Sequence, residues 1–244
     1  MIADGTPDLS IILLCYRSEE AIHSYVEGLR TCLVELNISW EVILVANYLP
    51  GSDDCTPEVA RDIANKDVRV KALTEEKKGM MGWDMKCGFK NALGKFIAVT
   101  DGDGQFPLDD VGRLYKKITD ENLDMAKTYR FKRGDGLYRR FLSAIYNVIF
   151  MFVFPGFSCQ DVNSKPKIFK ASVLKKMDLL SDDWFIDAEI MIQVRRLKLN
   201  FAELPTEFNK LDSRTSFVKP GAIMEFIVNM ILFRIREYRF FLKN

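Results

Sequence analysis

Apolar residues follow two rhythms along this chain. Short apolar blocks, Leu9–Tyr16 (LSIILLCY) and Phe96–Val99, have the length and content of strands buried on both faces, and Trp40–Ala46 (WEVILVA) and Val68–Leu73 read as two further strands. Between them the apolar positions recur at helical spacing: Ile22, Tyr25, Val26, Leu29, Leu33 and Leu36 after a capping residue, Ser18; then Pro57–Ala64; then Trp83–Leu93, opened by the Gly-containing segment Lys77–Gly82. The β-α-β-α-β-α-β order predicts an α/β fold, a Rossmann-like and mostly parallel central sheet flanked by helices. The second half continues with a helix (Val111, Leu114, Tyr115, Ile118), a strand at Leu123–Tyr129, an apolar stretch Phe141–Phe157, short and longer helices at Ser172–Met177 and Trp184–Leu197, and a strand at Phe201–Phe208. No polar linker divides residues 1–221, which read as one domain, and residues 222–244 read as a C-terminal apolar and basic helix.

The fourth block ends in the sequence FIAVTDGDGQFP, Phe96–Pro107. In extended backbone residues i and i+2 point the same way, so Asp101 and Asp103 can present oxygens to one point while Gly102 and Gly104 let the chain bend around it. Two neighbouring carboxylates without His or Cys suit a hard cation, Mg²⁺ or Mn²⁺. Asp-Gly-Asp-Gly is also good turn chemistry and common on surfaces. A helix-loop-helix calcium site fails, because its sixth and twelfth positions counted from Asp101 are Phe106 and Gly112. The strand before and the helix after place the pair where open α/β sheets bind ligands, which favours the metal.

Composition narrows the chemistry. Among 244 residues, 35 Lys and Arg offset 34 Asp and Glu, so no global field marks a nucleic-acid binder. Five scattered cysteines without a CxxC pair point to free thiols in a reducing, cytoplasmic setting. The single histidine, His23, lies within a helical pattern and excludes serine-protease-type and imidazole-zinc chemistry. The first ten residues lack the basic flank and apolar core of a signal peptide, and no segment offers a confident membrane span. The first strand lacks the GxGxxG that would follow it in a dinucleotide-binding domain, and no GxxxxGK[ST] occurs.

Taken together, a strand ending in Cys15-Tyr16, a second strand leading to Ser52-x-Asp54-x-Thr56, a Lys-Gly-rich turn and DGDGQFP resemble the family 2 glycosyltransferases of the GT-A fold. The Asp-x-Asp-x-Gln-x-Pro form is similar to the branch with dolichyl-phosphate mannose synthase and the polyprenyl-phosphate glycosyltransferases, over roughly residues 9–215. The resemblance implies that Cys15, Tyr16, Glu19, Asn47, Asp54, Lys78, Asp101 and Gly102 surround the nucleotide, with Tyr16 stacked near the base. It implies that Asp101 and Asp103 hold the divalent cation on the sugar-nucleotide diphosphate, with Gln105 beside the sugar or the acceptor phosphate. The chain departs from the family at Leu14 and Arg17-Ser18, where Pro and Asn-Glu are usual, and at Ala46 and Asn47, where two aspartates are usual. Asn47 keeps an amide that can pair with a base edge.

By the same resemblance Arg130, Arg140 and Ser143 match groups that grip a lipid phosphate, a task for which the planar guanidinium is well shaped. From charge alone these residues read equally as a solvated basic face. Phe141–Phe157 is either a buried core helix or, as the arginines at its start favour, a helix in the membrane interface beside a lipid substrate. Gln160–Ser164 resembles the family's Asp-x-x-Ser-Gly turn, with Lys165 in place of Gly. Asp187 lies with Ile190, Met191 and Val194 on an apolar face, and an acid there is paired or functional. In relatives with sugar acceptors a carboxylate in this region acts as base, which Asp187 or Glu189 could do. Arg214 and Lys219 match loosely a loop that closes over the phosphates. Ala222–Phe233 with its basic end either packs on the domain or a partner, or rests on a membrane.

The expected activity is an inverting, metal-dependent hexosyl transfer from a GDP- or UDP-linked sugar to a polyprenyl phosphate at the inner face of the membrane. A saccharide acceptor in cell-surface polysaccharide synthesis, or a non-catalytic sugar-nucleotide-binding scaffold, are the alternatives.

Overall fold

The computed structural model describes residues 5–134, 137–209 and 220–241. The chain runs β1 (Leu9–Leu14), α1 (Ala21–Glu35), β2 (Trp40–Val45), α2 (Thr56–Lys66), β3 (Val70–Leu73), α3 (Met81–Asn91), β4 (Phe96–Asp101), α4 (Asp110–Asp120), β5 (Met125–Arg133), α5 (Leu137–Val153), β6 (Lys167–Lys170), α6 (Ala171–Leu174), α7 (Ile186–Arg196), β7 (Phe201–Phe208) and α8 (Pro220–Phe241). These strands form a seven-stranded sheet in the order β3-β2-β1-β4-β6-β5-β7.

The apolar blocks of β1, β2 and β4 are buried along most of their length, whereas β3, at the edge of the sheet, is half-buried apart from Val70. Leu9, Ile11 and Leu13 of β1 and Val42 and Leu44 of β2 face one core with α1, α2 and α4, while Ile12, Ile43 and Val45 face a second core with α3, α5 and α7. Burial on both faces is what removes the polar alternation from these strands. The five cysteines are free, as their scatter predicts.

Two elements differ from the sequence reading. Ser18 does not cap α1, which starts at Ala21 after Glu20; the intervening turn holds Arg17 and Glu19 at φ +53° and +46°, and the Ser18 hydroxyl is buried without a hydrogen-bond partner among the described residues. The strand β6 was not anticipated. It inserts antiparallel between β4 and β5, with Ala98 opposite Ile168 and Ala126 opposite Ile168 on the other side. Its four residues, Lys-Ile-Phe-Lys, are too few and too basic at both ends to carry a strand signal.

One contact seats the turn before α3. The Met80 and Gly82 amides donate to the carbonyls of Asp182 and Asp183 at 2.7 and 3.0 Å, and a Cβ at Gly82 would lie 2.4 Å from the Ser181 carbonyl oxygen. Because the obstacle is backbone on both sides, Gly82→Ala is expected to destabilise the fold by about 2 kcal/mol. Thermal denaturation checks this: a melting temperature equal to that of the wild type would show that the turn is not held against Ser181.

Candidate active site

The sheet order reverses between β1 and β4, the switch point at which an open α/β sheet leaves a crevice beyond its C-terminal strand ends. In register Leu14 stands opposite Asp101, the Gly102 amide donates to the Leu14 carbonyl at 2.9 Å, and the Cys15 amide donates to Val45 at 2.9 Å. Cys15 is buried, so its contribution is to hold this edge in line. A side chain at position 102 would meet the Cys15 Sγ at 3.1 Å, which accounts for glycine there. Beyond it the Asp103 Oδ1 accepts the Gln105 amide at 3.1 Å, and Gly104 turns the chain at φ +76°. Gln105 is tied to the end of β7: its Nε2 donates to the Asn209 carbonyl at 3.1 Å, and its own carbonyl accepts the Asn209 amide at 2.9 Å. Phe106 packs on Phe208 with ring centroids 5.0 Å apart. The acidic loop is therefore anchored at both ends while Asp101, with 29% of its side chain accessible, faces the crevice.

On the β1–β2 side the structure brings Tyr16 to the rim and covers its ring with the Lys77 ammonium, 4.6 Å from the centroid. Lys78 is exposed, and its neighbour Lys77 is the one that lies over Tyr16. It pairs with Asp84 of α3, and Asp84 accepts the Asn47 Nδ2 at 2.9 Å. The Asn47 Oδ1 accepts the Glu75 amide at 2.8 Å, and the residue is 1% exposed. Its amide is thus engaged within the protein on both its oxygen and its nitrogen. The carboxylate beside that position comes from Asp84 instead, whose pKa burial raises against the opposing pull of Lys77 and Asn47. Asp54 accepts the Thr56 amide through Oδ1 at 3.1 Å, and its Oδ2 is buried with no hydrogen-bond partner among the described residues. Glu19 is exposed, and its backbone amide donates to the Thr56 hydroxyl at 2.9 Å.

Behind Asp101 lies a buried charge cluster that the sequence did not reveal. Asp187, at the start of α7, is 2% exposed and lies 2.6 Å from the Lys167 ammonium and 3.0 Å from that of Lys165. The Lys165 ammonium also lies 3.5 Å from Asp101 and 3.2 Å from the Met81 sulfur. Burial alone would raise the Asp187 pKa, yet the two lysines outweigh it and hold the carboxylate below its usual range. Burial likewise works against the Lys165 charge but is overcome by Asp101 and Asp187, whereas Lys167 is pushed down to about 8 by burial despite Asp187. A carboxylate held between two ammonium groups is a poor proton acceptor. Glu189 is fully buried and accepts the Leu180 and Ser181 amides, each at 2.8 Å, so it closes a loop.

The strand β5 lies two places from β4, about 10 Å away across the sheet. There Arg130 makes a two-pronged pair with Asp161, Nε and Nη2 donating at 2.6 and 2.9 Å. The fully buried Lys127 reaches Glu203 at 2.9 Å. Arg140 is exposed and Ser143 half-buried on α5. The same helix exposes Phe141, Val148 and Phe152, the last at 87%. Beside it α8 seats Met230 in the core and leaves Met224, Ile231 and Leu232 in the open. No helix among the described residues is long and apolar enough to cross a membrane. Arg214 and Lys219 lie outside the described residues.

The donor set fits a hard divalent cation in one way. Asp101 and Asp103 supply oxygens only, and among the described residues no group of three or more His, Cys, Asp or Glu could hold a metal. Two carboxylates suit Mg²⁺ or Mn²⁺ when phosphate oxygens and water complete the octahedron.

The Arg130–Asp161 pair yields a prediction in acid. Burial raises the Asp161 pKa, but Arg130 and Lys127 override this and hold it far below the carboxylate range. A depressed folded-state pKa stabilises the fold above the unfolded value near 4 and loses that contribution as pH falls below it. Asp161→Asn, which strands a mostly buried guanidinium, is expected to cost about 3 kcal/mol at neutral pH and to flatten the acid limb of the stability profile. Urea denaturation at pH 7 and pH 3 measures both; an unchanged acid limb would show that the pair does not govern it.

Residues 10–178 match the profile of Glycosyl transferase family 2. Among curated proteins the chain is 26% identical over 176 residues to the dodecaprenyl-phosphate galacturonate synthase of Rhizobium johnstonii, covering 72% of this chain and 51% of that protein. It is 25% identical over 142 residues to the undecaprenyl-phosphate 4-deoxy-4-formamido-L-arabinose transferase of Salmonella choleraesuis, covering 58% and 42%. The chain spans about half the length of these relatives. Among solved structures it resembles the Mycobacterium tuberculosis glucosyl-3-phosphoglycerate synthase in complex with Mn²⁺, UDP and phosphoglyceric acid, at TM-score 0.69 and 16% identity over 93% of this chain and 78% of that one. It also resembles S. aureus TarS 1-349 in complex with UDP-GlcNAc, at TM-score 0.62 and 18% identity over 92% and 66%. With the greater part of its length under that profile, this chain belongs to Glycosyl transferase family 2 and carries a GT-A fold.

Proposed function

We propose that the chain is an inverting glycosyltransferase that moves a hexose from a GDP- or UDP-linked sugar to a polyprenyl phosphate at the cytoplasmic face of a membrane. The observation that carries this reading is the convergence of Tyr16, Asp101 and Asp103 on one sheet edge at the switch point. The names of both curated relatives, which act on dodecaprenyl and undecaprenyl phosphates, support the acceptor class.

In this reading the nucleotide base lies along Tyr16, near Lys77 and the unpartnered Asp54 oxygen, and the diphosphate reaches across to the acidic loop. Asp101 and Asp103 would hold a Mg²⁺ or Mn²⁺, which would supply positive charge to a departing diphosphate. Gln105, fixed by Asn209, borders the place where sugar and acceptor meet. An acceptor phosphate oxygen attacks the anomeric carbon opposite the leaving group; the new C–O bond forms as the old one breaks, and the electron pair leaves on the diphosphate oxygen. A phosphate is already ionised at neutral pH and needs no base. That agrees with Asp187 and Glu189, both engaged inside the protein, and disfavours a saccharide acceptor. Arg140 and Ser143 meet the acceptor phosphate, joined by Arg130, Arg214 and Lys219. The open apolar sides of α5 and α8 lie against the bilayer or the prenyl chain.

Isothermal titration with UDP- and GDP-sugars, with and without Mn²⁺, tests the donor half. Metal-dependent binding of one nucleotide class, abolished by Asp101→Ala/Asp103→Ala, is the expected outcome. Binding of neither class by the wild type would sink the reading, and the sugar-nucleotide-binding scaffold with it.

A further inference from the structure

Most of the charged groups behind the crevice balance within the protein, and Lys165 is the one that links this balance to the acidic loop. Asp187 already has Lys167 at 2.6 Å. Lys165, 5% exposed, adds a second ammonium at 3.0 Å from Asp187 and 3.5 Å from Asp101. Among the described residues the Lys165 and Lys167 ammonium groups thus stand against Asp187 and Asp101, so that Asp101 already meets a fixed cation where a divalent cation would have to settle. The position is enforced: Lys165 stands on the turn into β6, Thr128 of β5 bonds its carbonyl through a hydroxyl, and the Met81 sulfur lies 3.2 Å from its ammonium.

We propose that Lys165 is a resident counter-cation of the donor site, which keeps a divalent metal out of the empty crevice and makes metal uptake conditional on a nucleotide diphosphate. The inference rests on the donor-site reading above. The ammonium does not reach the substrate; it acts through Asp101 and is a positioning residue. A cation settling on Asp101 and Asp103 meets the ammonium on the far side of Asp101, in a setting where water screens little. A diphosphate restores negative charge and supplies the missing oxygen ligands, so metal and nucleotide bind with positive coupling that by linkage is reciprocal.

Mn²⁺ binding to the full chain, followed by the loss of its free electron paramagnetic resonance signal, tests this without turnover. In the wild type, UDP or GDP, whichever binds, is expected to tighten Mn²⁺ binding by at least about tenfold. Lys165→Met, which keeps the stem and removes the charge, is expected to tighten Mn²⁺ binding in the absence of nucleotide by a similar factor and to shrink the coupling, while Lys165→Arg restores wild-type behaviour. Lys165→Gln serves the same comparison should the methionine variant not fold. Equal Mn²⁺ affinity in wild type and the neutral variants without nucleotide overturns the proposal, as does wild-type Mn²⁺ binding that is indifferent to nucleotide. Failure of the wild type to bind any nucleotide in the presence of Mn²⁺ is a separate result, which removes the donor site and the proposal with it.

Discussion

Asp187 is a single carboxylate enclosed by protein, and much of the crevice is arranged around the need to neutralise it. An isolated charge at that depth is untenable, so two lysines from the turn and strand before it are drawn in, one at position 165 and one at 167. Drawing them in fixes the path of the turn into β6 and the N-terminal end of α7. It also fixes the back wall of Asp101. The antiparallel strand β6 belongs to the same arrangement, for Lys167 is its first residue and reaches Asp187 from within the sheet. Charge pairing in the interior and the shape of the acidic edge are one constraint here, not two.

The same logic organises the sheet's other buried charges. Lys127 with Glu203 and Arg130 with Asp161 cross from β5 to the neighbouring β7 and to the turn after α5, and Lys127 also donates to the Asp161 carbonyl. A solitary ion pair of this kind adds little net stability, but it resists mispairing, because every alternative register would leave a charge stranded. In a seven-stranded sheet that mixes parallel and antiparallel neighbours, such discrimination has an evident use.

How far the chain could be read without coordinates follows from where its information lies. Strands buried on both faces announce themselves as apolar runs, so β1, β2 and β4 and the acidic loop at the end of β4 were legible. The strand β6 was not, since a four-residue segment with lysines at both ends looks like a loop until their partners are known. The partners of Asn47 were not legible either: Asp84, thirty-seven residues later, and the Glu75 amide meet its side chain. Lys78 and Lys77 are adjacent in sequence, and only the fold shows which one lies on Tyr16. Pairings between distant segments leave no local pattern, and the missed residues of the site are all of that kind.

The short segment 181–183 ties distant elements together. Its carbonyls hold the turn before α3, its Asp183 accepts the Phe185 amide at the head of α7, and the same side chain accepts Asn229 of α8 at 2.7 Å. Lys86 adds an ion pair to Asp182 at 2.7 Å. Three helices are thus pinned to one joint. The helix α8, whose outer side is apolar, and the turn that sets Lys77 over Tyr16 are thus anchored on the same three residues, so a substitution there loosens both ends of the crevice at once.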